Sequence, residues 1–170
     1  MIRVRRATDE DCLHLPGIER SSGELFRHEP GLEWIADDTV QSVEQHRALL
    51  ATGLVLVAEG DGFGLAAFLN AEPAADALHL WQIAVHHDQQ RRGFGRALIH
   101  SAEHYAAGYG INALTLTTFR DIAWNELFYR KLGFVTLEDA ELSPRLRAIL
   151  TAEERAGMPL ARRCAMRRPV

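Results

Sequence analysis

A glycine-bearing turn between a strand and a helix is the part of the sequence best equipped for chemistry. The segment Gln90–Arg96 reads Gln-Arg-Arg-Gly-Phe-Gly-Arg and follows an apolar run that ends at Val85. Small side chains at Gly93 and Gly95 allow a ligand to approach the backbone closely. The free amides of a first helical turn, with the positive end of the helix dipole behind them, favour an anion. The segment therefore predicts a pyrophosphate cradle that needs neither a lysine nor a metal ion.

Three other kinds of glycine-rich turn are alternatives to a pyrophosphate cradle. A Rossmann fingerprint requires a third glycine, but Leu98 stands at that position, and the turn comes late in the chain. A P-loop requires Gly-Lys-Ser/Thr, which the sequence lacks. A tight turn carrying a solvated arginine cluster, without a ligand, is the third alternative.

Composition limits the class of protein. The chain has 170 residues, the size of one domain, so we expect a single domain over 1–170. A net charge of −4 argues against a generic nucleic-acid binder. Cys12 and Cys164 fit no metal or disulfide spacing, and we expect two buried thiols. There is no apolar run of signal-peptide or membrane-span length, so we expect a cytoplasmic protein with no membrane partner.

The elements that must position the turn follow from periodicity and turn residues. They imply an α+β protein with a mixed, mostly antiparallel sheet of six or seven strands and helices on both faces. The predicted strands are 2–6, 54–59, 63–69, 78–85, 111–119, 134–137 and 162–167. The predicted helices begin near Glu10 and cover 40–50, 95–107, 122–132 and 142–154.

Two motifs together resemble the GNAT (GCN5-related N-acetyltransferase) family. Gln90–Gly95 is similar to its acetyl-CoA signature, Gln/Arg-x-x-Gly-x-Gly/Ala, and Ala84-Val85-His86 is typical of the strand before it. Phe128–Phe134 resembles a second hallmark, aromatic-Tyr-x-x-x-Gly-Phe. The resemblance covers roughly 54–134 and implies the GNAT fold, with acetyl-CoA as co-substrate.

The resemblance also implies which residues contact the coenzyme. The strand before the turn offers backbone groups to the pantetheine arm, and the amide of Ile83 hydrogen-bonds the thioester carbonyl. The turn supplies the amides for the pyrophosphate. The cofactor-binding residues implied in this way are Ile83, Ala84, Val85, Gln90, Arg91, Arg92, Gly93, Phe94, Gly95 and Arg96.

Two catalytic residues are implied by the same correspondence. Tyr129 falls where many family members place a tyrosine that reaches the coenzyme sulfur, although a core aromatic would look the same. His79 precedes Ile83 by four residues, so strand alternation places both side chains on one face with Trp81. An imidazole titrates in the range useful to a general base, although a half-buried strand histidine is equally compatible.

The acceptor pocket is the least defined part. The segment 21–38 combines Phe26 and Trp34 with several acids, a composition that suits a cationic amine with an apolar body. Ordinary solvated acids around two core aromatics would give the same composition. Together with Trp81 and Phe119, these form the predicted substrate-binding set. No metal is predicted, because the pair His100 and His104 lacks a zincin glutamate and a third ligand.

The resemblance thus implies an N-acetyltransferase that moves acetyl to a primary amine by direct attack in a ternary complex, and a small-molecule acceptor is favoured. Three alternatives stay open. They are a non-catalytic acyl-CoA sensor on the same fold, an enzyme acting on protein N-termini or lysines, and a nucleotide-binding oxidoreductase. A homodimer is plausible by resemblance, and nucleic acid is not expected as a partner.

Overall fold

The computed structural model describes all residues, 1–170, and its main-chain packing divides them into two compact units. The first unit comprises 1–73 and 81–105, and the second comprises 74–80 and 106–170. The strand 78–85 therefore contributes to both units, its first three residues to the second and the remainder to the first.

Seven strands form one mixed sheet in the order β1-β2-β3-β4-β5-β7-β6. Their bounds are Ile2–Arg6, Leu54–Gly60, Gly64–Pro73, Leu78–Val85, Ala113–Phe119, Val135–Thr136 and Arg163–Pro169 for β1 to β7. The pairs β1/β2, β2/β3, β5/β7 and β6/β7 are antiparallel, and β4/β5 is parallel. The predicted α+β class and mixed sheet are confirmed.

The first unit contains helices α1 (Leu15–Ser22) and α2 (Val43–Thr52) and most of α3 (Phe94–Gly108). Helix α2 begins at a capping box, in which the Ser42 hydroxyl accepts from the Gln45 amide and the Gln45 side chain accepts from the Ser42 amide. The core joins α1 to the strands through Ala7, Leu15, Ile18, Val55, Val57, Phe68 and Ala84.

The second unit contains helices α4 (Glu126–Lys131) and α5 (Pro144–Arg155). Helix α5 starts with Pro144 after Ser143, whose hydroxyl accepts from the Leu146 amide. Leu146 and Leu150 pack with Ala165 of β7 in the core of this unit. No helix of the chain combines the length and the apolar character that crossing a bilayer requires.

Two predicted helices start four or more residues away from the observed starts. The first does not begin near Glu10, because Asp11–Leu13 forms a separate 3₁₀ turn and α1 starts at Leu15. The fourth was predicted from Ile122 but begins at Glu126, because Asn125, with φ −124° and ψ −112°, lies outside helical geometry. Strand β3 runs four residues further than the predicted end at Leu69.

Candidate active site

Strand β4 leads into the predicted cradle, and its pairing with β5 ends before it reaches the turn. Its parallel pairing with β5 consists of three residue pairs, from Leu78 with Leu114 to Leu80 with Leu116. The strand then continues for five residues to Val85 without further pairing to β5. The backbone of Ile83, Ala84 and Val85 thus lies on a stretch with one strand edge open, as a pantetheine arm would require.

The turn after β4 is built by side chains that fold back on it. Gln90 Nε2 donates to the carbonyl of Val85 at 3.1 Å, and Arg92 Nη1 donates to Gln89 Oε1 at 2.9 Å. Arg91 and Gly93 both adopt a left-handed backbone, with φ of 62° and 95°. A φ of 95° strains any residue that carries a Cβ, so the path of the chain favours glycine at position 93.

The turn presents unpaired amides at a helix start. The carbonyl of Gly93 accepts from the Ala97 amide at 3.0 Å, which begins the hydrogen-bond ladder of the helix. The amides before Ala97 therefore have no intrahelical acceptor. Arg91, Arg92 and Arg96 are exposed beside them. Amides, helix dipole and guanidinium groups together form a site suited to a diphosphate.

Phe94 fixes the first turn of α3 to the sheet. Its side chain is buried, and its Cζ lies only 2.9 Å from where a Cβ on Gly60 would stand. Because the ring points inward, Phe94 can offer a ligand only its backbone. In the predicted cofactor set, Phe94 would contribute its amide, while its ring anchors the helix start.

Tyr129 lies on α4 in the second unit, as the second motif requires. Its ring packs edge-on against Phe128 and Phe134, with centroid distances of 5.2 and 5.7 Å. Burial raises the pKa of Tyr129 to about 12, although the positive charge of Arg163 lowers it. The phenol is therefore fully protonated near neutral pH and can act as a hydrogen-bond donor.

His79 is held in a polar cluster of the second unit. Its Nδ1 lies 2.9 Å from Thr115 Oγ1 and 3.1 Å from Arg145 Nη1, and Arg145 also binds Asp76. Because a guanidinium can only donate, Nδ1 must be an acceptor and the ring is neutral. Burial first and Arg145 second lower the pKa of His79 to about 4. The base role of His79 stays a prediction, and this geometry speaks against it.

A cavity of about 490 Å³ lies in the first unit, next to the second half of β4. We call it the acidic cavity, because two carboxylates and no cationic side chain line it. Its lining residues are Glu19, Gln41, Gln45, Ala48, Leu49, Glu72, Trp81 and Gln82. Trp81 is 44% exposed and donates from Nε1 to Glu72 Oε1 at 3.0 Å.

Among the four predicted substrate-binding aromatics, Trp81 alone lines this cavity. Phe26 ends a 3₁₀ turn, Gly23–Phe26, and is partly exposed. Trp34 lies in the next 3₁₀ turn and is 39% exposed. Phe119 is buried in the second unit, where the Arg163 guanidinium covers its ring at 4.6 Å.

Comparison with known proteins decides the family. The model of the GNAT acetyltransferase domain matches residues 51–136, about half of the chain. The chain belongs to the GNAT acetyltransferase family. This range includes both motifs. GNAT enzymes use acetyl-CoA, so the predicted co-substrate is confirmed.

Solved GNAT structures share the fold along the whole chain. The PaiA N-acetyltransferase of Thermoplasma acidophilum, in complex with coenzyme A, is 20% identical with a TM-score of 0.71, over 100% of this chain and 99% of that one. The ribosomal-protein-S18-alanine N-acetyltransferase of Escherichia coli is 20% identical with a TM-score of 0.68, over 100% and 94%. The N-acetylglutamate synthase of Neisseria gonorrhoeae, complexed with coenzyme A and N-acetyl-glutamate, is 19% identical with a TM-score of 0.70, over 99% and 35%.

Sequence reasoning missed the polar residues of the acidic cavity in this GNAT chain. Glu19 lies on α1, Glu72 near the end of β3, and Gln82 on β4. One local signal exists, because Gln82 interrupts the otherwise apolar stretch from Leu80 to Val85. Nothing local pairs it with Glu19, which stands 63 positions earlier in the chain.

Proposed function

We propose that this GNAT protein is an N-acetyltransferase that moves the acetyl group of acetyl-CoA to the primary amine of a small cationic molecule. The turn Gln90–Arg96 carries the proposal, because its amides stand at the start of a 15-residue helix without intrahelical acceptors. Such a helix start binds the pyrophosphate of the coenzyme.

The thioester is held on the open stretch of β4. The amide of Ile83 donates to the thioester carbonyl oxygen, which gains negative charge as the tetrahedral intermediate forms. A fixed donor at that atom stabilises the transition state more than the ground state. Neighbouring backbone groups of Ala84 and Val85 hold the pantetheine arm.

Tyr129 assists the leaving group. A thiol ordinarily has a pKa of about 8.5, well below the value of about 12 that burial gives Tyr129. The thiolate is thus the weaker base, and the phenol donates a hydrogen bond to sulfur without giving up its proton. That bond strengthens as the C–S bond breaks and negative charge moves to sulfur.

Direct attack within a ternary complex is supported by the state of the thiols. Cys12 and Cys164 are both free and buried, as predicted. Burial raises the pKa of Cys12 and raises that of Cys164 to about 12, with Glu126 adding to the second shift. A protonated, buried thiol is a poor nucleophile, so neither forms a suitable acyl relay.

The acidic cavity supports a cationic, small acceptor. Its volume of about 490 Å³ lies in the range of small-molecule sites. Ala48, Leu49 and the ring of Trp81 provide an apolar side, and the carboxylates provide negative charge.

The test is release of free thiol from acetyl-CoA in the presence of an amine panel. The panel contains 1,4-diaminobutane, benzylamine, a peptide with an internal lysine and a peptide with a free N-terminus. We expect turnover with a small amine. Coenzyme binding without thiol release for any amine would favour the sensor, and turnover with the peptides alone would favour a protein acceptor.

A further inference from the structure

Glu19 is a carboxylate that the fold buries without giving it a strong cationic partner. Its side chain is 16% exposed, and it accepts hydrogen bonds from the Gln41 amide at 3.0 Å and from the Gln82 side chain. Burial raises the pKa of Glu19, and these two hydrogen bonds lower it less than burial raises it. An amine ligand would supply the missing positive charge.

Asp11 of the same unit shows what a structural carboxylate looks like in this chain. It is 10% exposed and receives two hydrogen bonds from Arg5, at 2.6 and 3.0 Å. The Arg5 guanidinium lowers the pKa of Asp11 to about 2. Glu19 is comparably buried but has no guanidinium bonded to it, which leaves it available to a cation from outside.

The one basic group directed at Glu19 is neutral. His46 is fully buried on α2, and its Nε2 lies 4.0 Å from Glu19 Oε2. Its Nδ1 accepts from Asn70 Nδ2 at 3.2 Å, so Nε2 carries the proton. Burial lowers the pKa of His46. His46 therefore orients toward the carboxylate without neutralising it.

The remaining charged groups around Glu19 do not neutralise its carboxylate. Arg20, on the same helix, lowers the pKa of Glu19, and Asp38 raises it. Arg20 forms no ion pair with Glu19. Glu72 lines the same cavity and adds negative charge to it.

Gln82, which lines the acidic cavity, carries a buried acceptor atom that has no hydrogen-bond donor. Gln82 Oε1 is buried without a hydrogen-bond partner, while the amide group of the same side chain is bonded to Glu19. An alkylammonium has three N–H donors, enough for the Glu19 carboxylate and Gln82 Oε1 together. Gln82 directly precedes Ile83, so a nitrogen bound there lies beside the strand that holds the thioester.

We propose that Glu19 binds the ammonium group of the acceptor in the acidic cavity and takes its proton. This inference rests on the proposed function. One N–H proton passes to the carboxylate, and the freed lone pair forms the C–N bond at the thioester carbonyl carbon. The C–S bond then breaks, the second proton from nitrogen ends on the coenzyme sulfur, and Glu19 releases its own proton to water.

The test compares Glu19→Gln with wild type across pH, using the best acceptor of the panel above. We expect kcat/KM to fall on the order of 10²-fold near neutral pH. The deficit should shrink as pH rises toward the pKa of the amine, because the free base then needs no proton acceptor. Glu44→Gln, an exposed acid of α2 outside the cavity, is the matched control.

Two further measurements separate this inference from the proposed function and from misfolding. Coenzyme A titrated into Glu19→Gln should bind as in wild type, because the cradle is untouched. Glu19→Asp keeps a carboxylate and should retain the wild-type shape of the pH profile at reduced kcat. An unchanged kcat/KM in Glu19→Gln, or a loss equal at every pH, would overturn the base assignment. Wild type that acetylates no amine would overturn the proposed function and this inference together.

Discussion

The ring of Phe94 occupies the space that a side chain at Gly60 would need, with Phe94 Cζ 2.9 Å from the position of a Cβ there. Gly60 ends β2 and Phe94 begins α3. This contact ties the helix start, and hence the amides of its first turn, to the end of β2. The cradle is therefore held by the core as well as by its own turn.

Gly60→Ala should displace Phe94 and weaken coenzyme binding. A methyl group at 2.9 Å forces the ring to move, and overpacking of this kind costs roughly 1–3 kcal/mol of unfolding free energy. We expect a lower melting temperature and a higher Kd for coenzyme A by calorimetry. Gly108→Ala, at the other end of the same helix with open space around it, is the control. Equal behaviour of the two variants would remove the proposed anchoring role of Phe94.

Tyr129→Phe tests the leaving-group assignment. The change removes only the hydroxyl, so the ring contacts with Phe128 and Phe134 persist. We expect kcat to fall on the order of 10²-fold with little change in the Kd for coenzyme A. Steady-state kinetics and calorimetry on the same preparation measure the two quantities. Wild-type turnover in the variant would show that the phenol takes no part in the reaction.

His79 should make the protein less stable in mild acid. Its folded pKa of about 4 lies below the ordinary value of 6.5, so the unfolded chain binds the proton more readily. The contribution of neutral His79 to the unfolding free energy is complete above about pH 6.5. It is lost as the pH falls toward 4, and the total loss is on the order of 3 kcal/mol. Urea unfolding at several pH values measures it.

His79→Gln should flatten that pH dependence of the unfolding free energy. The variant loses one of the two buried histidines whose pKa is lowered by burial, and only His46 remains. His104→Gln, which removes an exposed imidazole of α3, serves as the control. A slope as steep in His79→Gln as in wild type would mean that other groups govern acid unfolding.

Local signals predicted the two elements that flank the turn well. The bounds of β4 agree at both ends, and α3 extends one residue beyond the prediction at each end. Apolar alternation, the glycines of the turn and the helical period all act within a few residues of one another. The left-handed φ at Gly93 is a second reason for glycine there, in addition to the close approach of a ligand that the sequence indicated.

The surroundings of His79 and Glu19 depend on contacts between residues far apart in the sequence, which local patterns do not predict. The environment of His79 depends on Arg145, which stands 66 residues later, so its burial and low pKa had no local signal. Glu19 and Gln82 likewise meet only when α1 packs near β4. The predicted first helix, which was expected to begin near Glu10, gave no sign that the carboxyl of Glu19 is buried without a guanidinium.

Calorimetric titration of coenzyme A into wild type and Gly93→Asp tests the cradle most directly. An aspartate at φ 95° strains the turn and places a negative charge beside the amides that would hold the diphosphate. Gly110→Asp, with φ 69° and open space around it, reproduces the strain and the charge beyond the end of the same helix. We predict tight binding to wild type and to Gly110→Asp, and no measurable heat with a folded Gly93→Asp. Equal affinity in all three proteins would contradict the account.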